Sequence, residues 1–249
     1  MIEPSLLAYF PEQYTPTQQQ HNLLKKLESG LKNNKFVVCC APTGSGKSLI
    51  AKTLAGLAGE PSPEFTDLIK NYSAYKQDFG GNFTYEEDCL VQPAFGAFVL
   101  TITKSLQDQY NSLFNDIDVL KGKSNYTCNV DENFTVELAP CTFAPSIKDD
   151  CFNKNKCAYY NARNTALLSD FATLNYKMFF SLPGHVKRKN IIVCDEASEL
   201  EEELVRQFSA EINYEKLKQM DINIQTLITN NKERTRAWMY QLIEKINVA

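Results

Sequence analysis

Residues 36–48 read FVVCCAPTGSGKS, an apolar run that breaks into a glycine-rich turn ending in lysine and serine. The run Phe36–Cys40 has strand length and predicts a buried β-strand, with Cys39 and Cys40 acting as small hydrophobes within it. In the turn Ala41-Pro42-Thr43-Gly44-Ser45-Gly46-Lys47-Ser48, the glycines let backbone N–H groups approach an anion with no Cβ in the way. The helix that SLIAKTLAGLAG predicts from residue 48, closed by Gly56 or Gly59, aims its positive end at the same point. Thr43, Gly44, Ser45, Gly46, Lys47 and Ser48 therefore form the expected phosphate cradle. Lys47 would reach the β- and γ-phosphates of ATP, and the Ser48 hydroxyl would ligate Mg²⁺. Ala41 stands where the general pattern has glycine. A chance glycine-rich turn is the plain alternative, and the strand before and helix after argue against it.

Working outward, residues 17–32 (TQQQHNLLKKLESGLK) place Leu23, Leu24, Leu27 and Leu31 on one helical face, ended by Gly30 and the Asn33-Asn34 pair. Residues 60–95 carry Pro61, Pro63, Pro93 and Gly80-Gly81 and read as an irregular insertion. Ala97–Thr101 predicts a strand, 104–114 (KSLQDQYNSLF) a helix, and Asp170–Leu174 and Ile191–Cys194 two further strands. Beyond Ser198 the pattern is helical to the end, with Leu200, Leu204 and Phe208 on one face. Strands alternating with helices, each strand buried on both faces, imply an α/β fold with a parallel sheet covered by helices.

A nucleotide site also needs an acid for the metal and a base for water. Asp195-Glu196 follows the strand IIVC, at the edge where ligands of open α/β sheets bind. Asp195 would hold Mg²⁺ and Glu196 would polarise the attacking water. An acid pair after a strand is otherwise an ordinary helix-start feature, and only the phosphate loop lifts it above that.

The 249 residues are 43% hydrophobic and 22% charged, near the globular average, which excludes disordered, collagen-like and coiled-coil classes. No apolar run approaches the roughly 20 residues of a membrane span. The N-terminal MIEPSLLAYFPE has an acid and two prolines where an export signal needs basic residues and an apolar core, so an intracellular protein is expected. A net charge of −4 argues against a wholly basic nucleic-acid coat. Residues 121–189 nonetheless carry ten Lys/Arg against six Asp/Glu, and residues 195–249 seven against eleven. A local phosphate-binding face is thus permitted.

Eight cysteines in such a chain call for a ligand, a redox role or none. Cys194 lies in a strand pattern and Cys89 stands alone. Cys128, Cys141, Cys151 and Cys157 cluster, spaced C-x12-C-x9-C-x5-C. Structural zinc sites usually contain one close C-x2–4-C pair, and none exists here. Four thiolates from a longer wrap can grip a [4Fe–4S] cluster. Zinc, a disulfide or free thiols stay open as alternatives. Lys121, Lys123, Lys154, Lys156 and Arg163 interleave with Tyr126, Phe152, Tyr159 and Tyr160. They would suit a surface that stacks bases and holds phosphates, or equally a solvated face over a small aromatic core. Lys187-Arg188-Lys189 reads as a solvated turn, His21 and His185 as surface residues, and Trp238 as local packing.

Together these segments resemble superfamily 2 helicases, and more narrowly the iron–sulfur branch typified by XPD and DinG. APTGSGKS (41–48) is similar to that branch's motif I, where alanine at the first position is usual. TITKSLQDQ (101–109) is similar to motif Ia, which in the family touches the DNA backbone. LKGKSNYTC (120–128) resembles the lead-in to the first cluster cysteine. CAYYNARNTALLSDFATLNYKMF (157–179) resembles the return to the core, including Asn175-Tyr176. DEAS (195–198) stands where the family has DEAH, with Ser198 replacing the histidine that couples metal site to second motor domain. Gln20, 27 residues before Lys47, matches the adenine-reading glutamine, with Gln18 as the fallback.

The resemblance implies a RecA-like P-loop motor domain over residues 1–120 and 166–198, interrupted by an iron–sulfur insertion at 121–165. It implies the start of a helical arch domain at 199–249. The implied cofactors are ATP, Mg²⁺ and a [4Fe–4S] cluster held by Cys128, Cys141, Cys151 and Cys157. The implied partners are single-stranded or forked DNA and a second RecA-like domain, with no membrane, and the implied activity is ATP-dependent 5′→3′ unwinding. Two other classes remain open from the residues alone. One is a cysteine-rich nucleic-acid-binding module with a regulatory nucleotide site. The other is a P-loop ATPase acting on proteins.

Overall fold

The computed structural model describes residues 5–42, 44–57, 63, 66–67, 94–142, 144, 157–209, 218 and 232–248. Thr43, Cys89, Cys151, Phe152, Lys154, Lys156 and nearly all of the 60–95 insertion lie outside them.

Helix α1 spans Gln18–Asn33 and starts at a reciprocal cap: the Thr17 hydroxyl accepts the Gln20 N–H while the Gln20 amide oxygen accepts the Thr17 N–H. That pairing satisfies two of the donors a helix start leaves open. Asn34 closes the helix, its backbone N–H donating to the Gly30 carbonyl. Helix α2 spans Lys47–Ala55 and ends at Gly56. Strand β1 (Ala97–Thr101) is buried at every position. Helix α3 (Lys104–Leu113) follows, its first turn capped by the Thr103 hydroxyl.

Strand β2 (Asp118–Leu120), helix α4 (Ala158–Leu168), strand β3 (Phe171–Asn175), helix α5 (Tyr176–Ser181) and strand β4 (Ile191–Cys194) complete the layered core. Helices α6 (Leu200–Phe208) and α7 (Lys232–Val248) follow. The chain divides into two compact units, Met1–Glu203 and Leu204–Ala249.

The four strands form one sheet in the order β2-β3-β1-β4, with every pair parallel. Parallel strands need covered faces, and the period-two alternation of β1 supplies them. Phe98 and Leu100 point into a cluster with Leu120, Ala166, Leu167, Leu174 and Tyr176, on the α4–α5 side. Ala97 and Val99 point the other way, toward Tyr110, Phe114, Ala51 and Ala55 of α2 and α3. The expected α/β class with a parallel sheet is thus present. Strand β2 was not expected from the sequence, because three residues are too few to display a period.

Two expectations fail. The run 36–40 forms no strand: Phe36 is 82% exposed and Val38 93%, and Cys39 and Cys40 are exposed. Only Val37 tucks in, against the cluster that holds Leu24, Leu27, Ile50, Ile191 and Val193. A strand is stable where neighbours take its backbone groups, and β4 pairs with β1 alone, leaving its other edge unpartnered among the described residues. For the same reason β4 is only half-buried, with Ile192 43% exposed. Leu204 and Phe208, on the apolar face of α6, are exposed. Lys189, expected in a solvated turn, is buried. Its ammonium donates to the carbonyls of Leu167 and Ser169, closing the C-terminal end of α4. Trp238 is buried as expected, and among the described residues no helix is long and apolar enough to cross a membrane.

Candidate nucleotide site

The turn before α2 has the backbone its glycines predict. Gly44 and Gly46 sit at φ 77° and 80°, where a Cβ is strained. A Cβ on Gly46 would also meet the Gln20 amide nitrogen at 2.2 Å. Gly46 caps α2 with no side-chain bond, so the helix start offers its N–H groups outward. The Ser45 hydroxyl oxygen is buried with no hydrogen-bond partner, an orphan that fits an anion-binding loop.

Gln20 anchors this loop from outside. Its amide nitrogen donates to the Ser45 carbonyl at 3.1 Å, while its amide oxygen is held by Thr17. The matching glutamine thus lies against the loop, with one donor and one acceptor already committed to protein. Gln18 is on the exposed side of α1, bonded to Asn22.

The acid pair meets the loop. Lys47 Nζ lies 3.5 Å from Glu196 Oε1, with both side chains part-exposed. An ion pair in that setting contributes about 0–1 kcal/mol, so it yields readily to a more highly charged competitor for Lys47. Asp195 is fixed from four directions. Its backbone N–H donates to the Leu100 carbonyl at 2.9 Å, and its carbonyl accepts the Tyr176 hydroxyl at 3.0 Å. Its Oδ1 accepts the Glu196 N–H at 3.1 Å, and its Oδ2 accepts the Tyr110 hydroxyl at 3.2 Å. Burial, then the Asp195 charge, hold the Tyr110 phenol protonated well above its ordinary range. Burial does the same for Tyr176.

Glu196 is the one non-glycine residue with positive φ among the described residues, at φ 52° and ψ 49°. That backbone region costs a side-chain-bearing residue about 1–2 kcal/mol, and such strain tends to collect where chemistry is done.

Three of the six loop residues expected from sequence, Ser45, Gly46 and Lys47, are tied by these contacts to Gln20 or Glu196, Ser48 lies in the first turn of α2, and Gly44 adopts the loop's positive φ. Thr43 lies outside the described residues. Sequence reasoning missed Tyr110 and gave Tyr176 no role. The available signal was the spacing Gln107, Tyr110, Phe114, a buried helical face carrying a hydroxyl.

Of the cysteines, Cys128 is buried beside the Thr127–Thr135 bridge, its N–H donating to the Phe134 carbonyl. Cys141 sits in a 3-10 turn, Pro140–Thr142, and Cys157 at the start of α4. Burial raises the Cys141 thiol, and Cys157 and Cys128 add to the rise while Lys123 opposes it. Cys157 and Cys128 thus both act electrostatically on Cys141. Among the described residues, however, no three His, Cys, Asp or Glu gather closely enough to hold a metal ion, and Cys151 lies outside them.

Of the residues drawn on for a base-stacking surface, Tyr159 is buried, Tyr126 and Tyr160 are half-buried, and Phe152, Lys154 and Lys156 lie outside the described residues. Tyr159 is buried and packs edge-on against Tyr126 and Tyr160 at 5.7 and 5.4 Å between ring centroids. Its phenol is pushed up to about 12 by burial. Arg163 is buried and bonded to Asn164, and Lys121 is paired with Asp108. The small aromatic core is what these residues build.

No family model, curated protein or solved structure matches this chain.

Proposed function

We propose that this chain is the first, RecA-like motor domain of an ATP-dependent DNA helicase of the iron–sulfur type. The observation that carries the reading is the 3.5 Å approach of Lys47 to Glu196, which joins the phosphate loop and the acid pair at the C-terminal edge of one parallel sheet.

Binding begins with the loop. The N–H groups around Gly44–Ser48 and the start of α2 receive the phosphates, and the orphaned Ser45 hydroxyl gains a partner. Lys47 leaves Glu196 for the β- and γ-phosphates, since a polyphosphate outcompetes one exposed carboxylate. Glu196, released, is placed to accept a hydrogen bond from the attacking water and polarise it. Ser48 and Asp195 would hold Mg²⁺, which when bound supplies charge neutralisation for the transferring phosphoryl group. Gln20, packed on the loop, is placed to report the nucleotide to α1, and by resemblance to read adenine.

Cys128, Cys141 and Cys157 would hold the [4Fe–4S] cluster together with Cys151. The electrostatic action of Cys128 and Cys157 on Cys141 supports that donor set. The remainder of 121–165 is then the iron–sulfur insertion, residues 199–249 begin the arch, and single-stranded or forked DNA is the substrate track. The second RecA-like domain would supply arginine fingers, worth about 10³–10⁵ in rate at related sites.

Two measurements on the purified chain test the reading. A fluorescent ATP analogue should bind, more tightly with Mg²⁺ than with EDTA, and lose binding in Lys47→Ala. Anaerobically prepared protein should be brown and carry about four irons. Absence of nucleotide binding defeats the motor assignment, and a colourless protein with one zinc defeats the cluster. Hydrolysis should stay near background with or without single-stranded DNA until a second RecA-like domain is added. DNA-stimulated turnover by residues 1–249 alone contradicts that expectation.

A further inference from the structure

We propose that Tyr110 is a positioning residue of the nucleotide site, its buried hydroxyl holding the Asp195 carboxylate in place for a divalent cation. The inference rests on the nucleotide-site reading above and adds a residue to it.

Two elements meet at this one oxygen, Tyr110 from α3 and Asp195 from the end of β4. A buried tyrosine hydroxyl needs a partner in any protein, and a single backbone carbonyl would serve. Here the partner is a side chain, and it is the carboxylate expected to hold the cation.

Proton counting fixes the direction. A phenol has one proton, and a carboxylate can only accept, so Tyr110 donates to Asp195 Oδ2 at 3.2 Å. Asp195 Oδ1 is meanwhile engaged by the Glu196 N–H at 3.1 Å, so the carboxylate plane cannot rotate freely. Tyr110 is only 2% exposed, which keeps water from substituting for its hydroxyl. Outer-shell partners of this sort typically contribute 10–100-fold to metal affinity.

Tyr110→Phe deletes the oxygen and leaves the ring packed beside Phe114, 6.2 Å away between centroids. Affinity for a fluorescent ADP analogue is measured in Mg²⁺ and in EDTA, for wild type and variant, with a melting curve for each. The expected result is a loss of about 10-fold in Mg²⁺ and no change in EDTA. An equal loss in both media, or none in either, overturns the inference while the nucleotide-site reading stands. Wild type that binds without any Mg²⁺ dependence overturns both. As a second variant, Asp195→Asn is compared alone and combined with Tyr110→Phe. If Tyr110 works by holding Asp195, the combined loss in Mg²⁺ is smaller than the product of the single losses. Losses that multiply fully count against it.

Discussion

At Lys189 the ammonium lies 3.9 Å from the Phe95 ring centroid and 5.0 Å from that of Phe98, with the Leu167 and Ser169 carbonyls as acceptors. Burial lowers its pKa to about 7, against the opposing pull of Asp170 and Asp118. The folded state therefore releases a proton near pH 7 that the unfolded chain keeps until about pH 10.4. Between those values the unfolded state binds more protons, so stability rises with pH, by at most about 1.4 kcal/mol per unit. Below pH 7 both states are charged and the slope vanishes. Lys189→Met should remove this slope, read as a flatter melting temperature between pH 7 and 10. An unchanged slope would assign the effect elsewhere. The sequence showed three consecutive basic residues and nothing more. Which of them turns inward is decided by the open end of α4, 22 residues away from Lys189 along the chain at Leu167.

At the scale of elements, Val38 and Val99 make a direct contrast. Both sit in apolar runs of strand length, FVVCC and AFVLT. Val99 is wholly buried in β1, between β3 and β4, while Val38 is 93% exposed outside any strand. Val38→Lys should shift stability by no more than about 0.5 kcal/mol, as surface changes do. Val99→Lys buries a charge without a partner and should prevent cooperative folding. Chemical denaturation of the two variants checks both; a large loss at Val38 would mean that FVVCC is covered in solution. Helices were easier to read than strands. Thr17 with Gln20 and Thr103 mark their starts by local chemistry, and Gly56 marks an end. Strands depend on neighbours distant in sequence, and hydrophobicity alone does not say whether those neighbours are there.

For the molecule as a whole, the parallel sheet gathers the ends of β1, β4 and the start of α2 at one edge. This is why residues near 20, 47, 110 and 195 meet. The site belongs entirely to Met1–Glu203, so nucleotide binding should survive changes on the exposed faces of Leu204–Ala249. Met239→Lys and Ile243→Lys, at side chains 52% and 50% exposed, should leave Mg²⁺-dependent affinity unchanged in the same fluorescence titration. A loss there would tie the helical segment to the site.

By itself the sequence determined the phosphate loop, the acid pair, the helix caps and the α/β class. Each is written in residues adjacent along the chain, where glycine geometry, hydroxyl caps and side-chain period act locally. Only the tertiary structure decided that FVVCC lies outside the sheet, that the tyrosines near the cysteines pack on each other, and that Tyr110 reaches Asp195. Those outcomes depend on which surfaces find partners across tens of residues, and burial, unlike spacing, is a property of the assembled chain.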